Sequence, residues 1–236
     1  LMGRGLVPSV DNFGVLGEKP SHPELLDWLA TRFLESGWDM KRLIRTVMLS
    51  NTYQMASRGA SAEAAEKDPN NHLFHRANLR RLEGEVIRDA ILAVAGTLDP
   101  KMFGPPVPVY LTDFMEGRGR PGASGPLDGA GRRTVYQEVR RNFLSPVMLA
   151  YDAPIPYTTV GRRTISNVPA QALILMNDPF VLEQARRWAG RLVEDGDADP
   201  SRRVNRMYLA AFARSPDRGE LAAALEFLRD PLDLPG

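Results

Sequence analysis

No cysteine occurs in the chain. That removes disulfides, thiolate zinc sites, iron–sulfur clusters, covalent haem attachment and cysteine nucleophiles from this segment. Lysine is scarce. Lys19, Lys41, Lys67 and Lys101 stand among 30 basic residues, so arginine carries the positive side. Arginine stays charged when partly buried and forms planar, two-pronged ion pairs; arginine-rich coding bias explains the same count without any structural demand. Excess charge of either sign is missing too. A net charge of +1 offers no overall electrostatic pull on nucleic acid or anionic membrane. No apolar run approaches the roughly 20 residues of a membrane span. Residues 1–20 lack the basic-then-apolar pattern of a signal peptide. They carry no initiator methionine at the first position and read as the middle of a longer protein.

What is present is helical periodicity. Residues 1–20 are rich in glycine and proline and read as a loop. In SHPELLDWLATRFLESG, Ser21 and Glu24 have capping-box spacing and Pro23 suits a first turn. Leu25, Leu29 and Phe33 form its apolar face, and Gly37 closes it. Asp39 starts a second helix with Leu43, Ile44, Val47 and Met48 inward, so residues 1–56 contain a helical hairpin. Residues 56–71 read as a surface linker. A long helix is predicted over 72–98, with Gly84 in its interior either as a cost or as a point of close approach. Residues 103–140 read as a long Gly/Pro-rich loop plus a small β-hairpin, PPVPVYL pairing with RTVYQEV. A short helix or turn is expected at Ser145–Ala150. Residues 166–230 hold the C-terminal helices: one from about Asn167 to Met176, one capped by Asn177 or Asp178, and a final hairpin. The ALILM run is assigned to the core. The fold class is mainly α, a multi-helix orthogonal bundle, taken as one helical domain over 1–236 and as a fragment of a larger protein.

Three groups of residues carry chemistry. His72 and His75 are three apart and share a helix face, but no third ligand stands at metal-site spacing, so no metal is assigned. Arg81, Glu85, Arg88 and Asp89 lie at three- and four-residue spacings. Glu85 or Asp89 serves acid–base chemistry if one pKa is raised; the plainer reading is a chain of helix ion pairs. In GRRTISNVPAQALILMNDPF, Ser166 or Asn167 is a good N-cap. With Arg162 and Arg163 upstream, a helix N-terminus suits a sulfate, phosphate or carboxylate. The competing reading places these arginines on Asp152, Glu85 or Asp89 as structural bolts, and it is the preferred one. P-loop, GxSxG, HExxH and dinucleotide fingerprints are absent.

Four blocks in order carry a resemblance: DNFGVLGEKPSHPELLDWLATRFLESGW, NLRRLEGEVIRDAIL, RRTVYQEVRRNFLSPVMLAYDAP and GRRTISNVPAQALILMNDPFVLEQARRWAGRL. The chain resembles the planctomycete-type domain-of-unknown-function family 1553 from about Gly3 to Pro216. The resemblance implies the C-terminal part of a large exported protein, with a companion domain and often a cytochrome c-like segment upstream. Haem would then belong to that separate domain, with no cofactor in this segment. The localisation implied is extracytoplasmic, periplasmic or cell surface. Arg81, Glu85, Arg88, Asp89, Asp152, Arg162, Arg163, Pro169, Gln171, Asn177 and Pro179 match the recurring pattern, while His72 and His75 lie outside it. A cysteine often found before the GRR motif is replaced by Val160 or a neighbour. The resemblance supplies no catalytic set.

Two functions are expected. One is a scaffold or interaction module whose partners are the upstream domains of the same polypeptide. The other is part of an enzyme acting on acidic or sulfated polysaccharide, with Arg162 and Arg163 clamping the anion. Nucleic acid is not an expected partner.

Overall fold

The computed structural model describes residues 1–59, 61–196 and 199–229. The predicted end of the C-terminal helical region at residue 230, and part of the DGDADPS loop, lie outside the described residues. The fold is helical, and the chain divides into two compact units. The first comprises Leu1–Arg81 with Thr159–Arg163; the second runs over Leu82–Thr158 and resumes at Thr164.

In the first unit, α1 spans Pro23–Glu35 with proline in its first turn. The predicted capping box does not form. His22 is the N-cap, and the Ser21 hydroxyl lies 2.9 Å from His22 Nδ1 instead. At the other end Gly37 takes φ 71°, and the Trp38 N–H reaches back to the Phe33 carbonyl at 3.0 Å. That left-handed residue closes the last turn as expected. Asp39 then caps α2, Met40–Met48, accepting from the Arg42 N–H at 3.0 Å. Leu29 and Phe33 of α1, with Leu43 and Val47 of α2, are half-buried, and neither helix has a fully buried residue. A short α3, Ala62–Lys67, occupies the expected linker. Ser61 caps it, and its alanines and i,i+4 Glu63–Lys67 pair make it a strong local helix former.

The helix predicted over 72–98 is a correction. Its helical part is α4, Gly84–Ala95. Upstream, polar side chains outcompete the helix ladder for backbone groups. The Asp68 carboxylate accepts the N–H groups of His72 and Leu73, each at 2.8 Å. Asn71, 1% exposed, donates to the Arg76 carbonyl and to Asn78 Oδ1, both at 2.8 Å. Asn71 and Phe74 adopt φ of 53° and 54°, which no α-helix contains. Gly84 therefore opens the helix. A Cβ there would lie 3.0 Å from the Tyr151 Cβ, so its role is close approach.

The second unit contains α4, α5 (Pro146–Ala150), α6 (Pro169–Asn177), α7 (Pro179–Glu194), α8 (Pro200–Phe212) and α9 (Arg218–Arg229). α4 packs on α5, α7 and α8; α6 joins α5 and α7; α8 and α9 form the closing hairpin. Val147, Met148 and Tyr151 of the α5 region form one core cluster with Ile87, Ala153 and Ile174 against it, and Val109, Leu111 and Phe143 form another. Asp178 is the α7 cap, accepting from Phe180 N–H at 2.9 Å, and burial raises its carboxyl pKa. Asp217 and Glu220 cap α9 reciprocally, each N–H meeting the other's carboxylate at 2.9 Å.

Two further expectations are corrected here. The small β-hairpin is not formed. Val107 does meet Gln137, but as an isolated parallel bridge, with a second at Asp99 and Arg132. Pro105, Pro106 and Pro108 deprive that stretch of N–H donors and stop a ladder from growing. The turn Thr134–Tyr136 stands where the second strand was expected, with the turn Gly129–Gly131 just before it. The ALILM run is also not core throughout. In α6 only Gln171 is buried, while Leu173 and Met176 are 58% and 69% exposed.

Candidate functional site

The candidate residues divide between the units. Arg81, Arg162 and Arg163 belong to the first, and Glu85, Arg88, Asp89, Asp152, Ser166 and Asn167 to the second. Each group is built differently.

On α4, Arg88 is 3% exposed. Its Nη1 donates to the Arg132 carbonyl at 3.0 Å and to Thr134 Oγ1 at 3.1 Å; its Nη2 donates to the Asp128 carbonyl at 2.6 Å. The guanidinium carbon lies 5.2 Å from the Phe180 ring centre. Burial lowers the Arg88 pKa, and the neighbouring charge of Asp89 at 3.8 Å opposes that shift. Asp89 is used as fully. Its Oδ1 accepts the Thr134 N–H and hydroxyl, both at 2.7 Å, and its Oδ2 accepts from Arg133 Nε at 3.3 Å. One turn earlier on the helix, Glu85 is half-buried. The segment DGAGRRT is shaped to receive these side chains. Gly129, at φ 61°, faces Arg88 Nη2 so closely that a Cβ has no room. Arg132 stacks 4.3 Å over Tyr136 and donates to the Phe103 carbonyl at 2.8 Å.

Chemically, this arrangement ties α4 to the 128–134 segment. An acid–base carboxylate needs a raised pKa and a reachable proton. Asp89 instead has both oxygens engaged, by the Thr134 N–H and hydroxyl and by Arg133 Nε. Sequence spacing identified Arg88 and Asp89 but not their partners Asp128, Arg132 and Thr134. The signal for those partners was the glycine pair in DGAGRRT, which permits the positive φ values at Gly129 and Gly131.

The second group surrounds the start of α6. Ser166 was expected to cap this helix and does not. Val168 is the N-cap, with no side-chain cap bond. The Ser166 N–H donates to Asp152 Oδ2 at 2.8 Å, and its hydroxyl lies 3.0 and 2.9 Å from the two carboxylate oxygens. Gln171, 6% exposed, donates from Nε2 to the Ala150 carbonyl at 3.0 Å and the Ser166 carbonyl at 3.2 Å. Asp152 holds φ 58°, a left-handed conformation that asparagine and aspartate tolerate best among ordinary residues. Asn167 is exposed and does not cap the helix. A carboxylate of the chain itself, Asp152, thus binds the segment just before α6, where one of the two readings placed an anionic ligand.

In the first unit, Gly161 lies against the Asp11 carboxylate with no space for a Cβ. The DNFG and GRR motifs therefore meet. Arg162 is exposed; Arg163 and Arg81 are half-buried. His75 Nε2 lies 3.1 Å from the Asp68 carbonyl. Among the described residues, no three His, Asp or Glu side chains gather as they would around a metal ion.

A family model, PSD1: Protein of unknown function (DUF1553), matches residues 1–228. The chain belongs to that family. Comparison with curated proteins and with solved structures gives no match.

Proposed function

We propose that this PSD1-family chain is a scaffold or interaction module of a larger exported protein, set beside companion and cytochrome c-like domains outside the cytoplasm. The observation that carries this reading is the internal use of Arg88 and Asp89. The arginine spends its donors on Arg132, Thr134 and Asp128, and the carboxylate spends its oxygens on Thr134 and Arg133. These are joints of a fold. The apolar outer side of α6, with Leu173, Leu175 and Met176 exposed, supplies a contact surface for a neighbouring domain. Haem, in this reading, resides in the separate cytochrome c-like domain.

Co-expression of this chain with the separately expressed upstream part of its own polypeptide tests the reading. A stable complex that weakens at least tenfold in a Leu173→Ser, Met176→Ser variant is the expected result. Independent migration of the two parts on a sizing column contradicts it.

A second reading rests on Arg162, which is exposed. It makes that residue part of an anion clamp for acidic or sulfated polysaccharide. Thermal melting with and without sulfated polysaccharide, repeated on Arg162→Ala, separates the two. Stabilisation of the parent alone supports the clamp, and no shift in either removes it.

A further inference from the structure

The chain's total charge of +1 conceals a local asymmetry. α2, with sequence MKRLIRTVM, carries Lys41, Arg42 and Arg45 and no acid. All three cations are exposed, and none forms an ion pair among the described residues. At about 100° per residue, the helix sorts its side chains into arcs. Leu43 and Val47 share one arc and are half-buried. Met40, Ile44 and Met48 share the next and are 57%, 38% and 42% exposed. Lys41 and Arg45 border that exposed strip. Apolar surface continues at both ends of the helix, through Trp38, 67% exposed, and Leu49, 61% exposed. The nearby acids are occupied or turned aside. Asp39 caps α2, Glu35 pairs with Arg32 at 3.1 Å, and Glu24 and Asp27 lie on the arc of α1 opposite Leu29 and Phe33.

We infer that α2 and the Trp38 turn form a docking face for an anionic lipid surface. An amphipathic helix lying along a bilayer sinks its apolar strip to the acyl boundary while lysine and arginine reach the phosphates. Tryptophan settles at headgroup depth, the place Trp38 holds at the end of this strip. A groove of about 280 Å³, lined by Trp28, Arg32, Arg42, Leu43 and Thr46 among others, opens on the other flank of α2. A protein partner's anchoring side chain would use that groove. The strip itself has a long apolar ridge and a basic border, which suit a planar anionic surface. With two bordering cations and a nine-residue helix, binding is weak, reversible and salt-sensitive. This inference goes beyond the interaction-module reading and stands whether or not α6 meets a companion domain.

Sedimentation of the intact chain with vesicles tests it, comparing pure phosphatidylcholine with phosphatidylcholine plus phosphatidylglycerol. Expected is binding to the anionic vesicles alone, lost in high salt. A blue shift of tryptophan emission and quenching by brominated lipid should both be absent in Trp38→Phe. Each cation removed lowers the partition constant about fivefold, so Lys41→Gln with Arg45→Gln lowers it roughly 25-fold. Circular dichroism should show the double variant folded, because neither Lys41 nor Arg45 has an ion pair to lose among the described residues. Sedimentation that ignores lipid charge, or is unchanged in the double variant, overturns the inference. So does absence of binding to both vesicles, including the case in which an acidic protein binds the same strip. Lipid quenching in the unsubstituted chain gives a readout that does not depend on any variant folding.

Discussion

The second unit buries Leu92, Phe143, Val147, Met148, Tyr151, Phe180 and Val204; among the described residues of the first, the only buried side chain is that of Asn71. The two units are held by different means. In the second, apolar clusters and a buried arginine fix α4 against its neighbours, so stability scales with area removed from water and with a few desolvated hydrogen bonds. In the first, two helices share half-buried leucines and valines, while the 68–78 segment is tied by Asp68 and Asn71. The difference is one of burial: the second unit keeps apolar clusters under cover, and the first relies on half-buried helix faces and local hydrogen bonds.

The largest expected effect is that of Arg88→Ala. It removes a charge-assisted donor from three acceptors and leaves Asp89 under-compensated, so the loss should be about 3–5 kcal/mol. Urea denaturation would register it as a lowered midpoint. Next comes a paired test of burial. Leu92→Ala, at a fully buried position, should cost about 2–5 kcal/mol. Leu34→Ala, at a position 55% exposed in the first unit, should fall within about 0.5 kcal/mol. Equal costs would erase the comparison. Asn71→Ala sharpens it from the other side, with an expected loss of about 1–3 kcal/mol through its unsatisfied partners. Faster amide exchange confined to residues 71–78 would locate the effect in the first unit.

Smaller effects belong to the α8–α9 hairpin. Ala213 holds φ 53° at the end of α8, so Ala213→Gly should stabilise by about 0.5–1 kcal/mol, read as a raised melting temperature. Glu220 is paired with Arg214 through two contacts of 2.7 Å, and this pair, followed by the Asp217 N–H, lowers its pKa from 4.5 to about 2. The folded value lies below the ordinary one. The contribution is therefore complete above pH 4.5 and is lost as pH falls toward 2. Glu220→Gln should flatten the stability profile within that window; an unchanged profile would remove the ion pair from the account.

Helix existence was legible in the residues because caps and periodicity act locally. Asp39, Gly37 and Asp178 perform the roles their types predict. The failures have a shared cause. Asp68, Asn71 and Ser166 are good local cap and turn formers, yet their partners depend on where the chain returns. Asp68 and Asn71 broke a helix that periodicity had extended to residue 72. Ser166 went to Asp152, leaving α6 without its expected cap. The hairpin failed because strand direction is set by the whole crossover between Val107 and Gln137, which alternation along either segment does not encode. At the candidate site, the spacing of Arg88 and Asp89 was visible. Their partners in 128–134 were not, since that contact spans some forty residues. The ALILM run shows the limit of hydropathy alone: it specifies a helix seeking cover, without specifying what covers it.

Hydrogen–deuterium exchange on the intact chain tests the central claim most directly. Protection should peak in α4 and α7, where Leu92, Phe180 and Gln184 are buried, and should be markedly lower in α1 and α2, which bury no residue. Protection in α1 and α2 equal to that of α4 would contradict the division into a well-buried unit and one that buries little apolar surface.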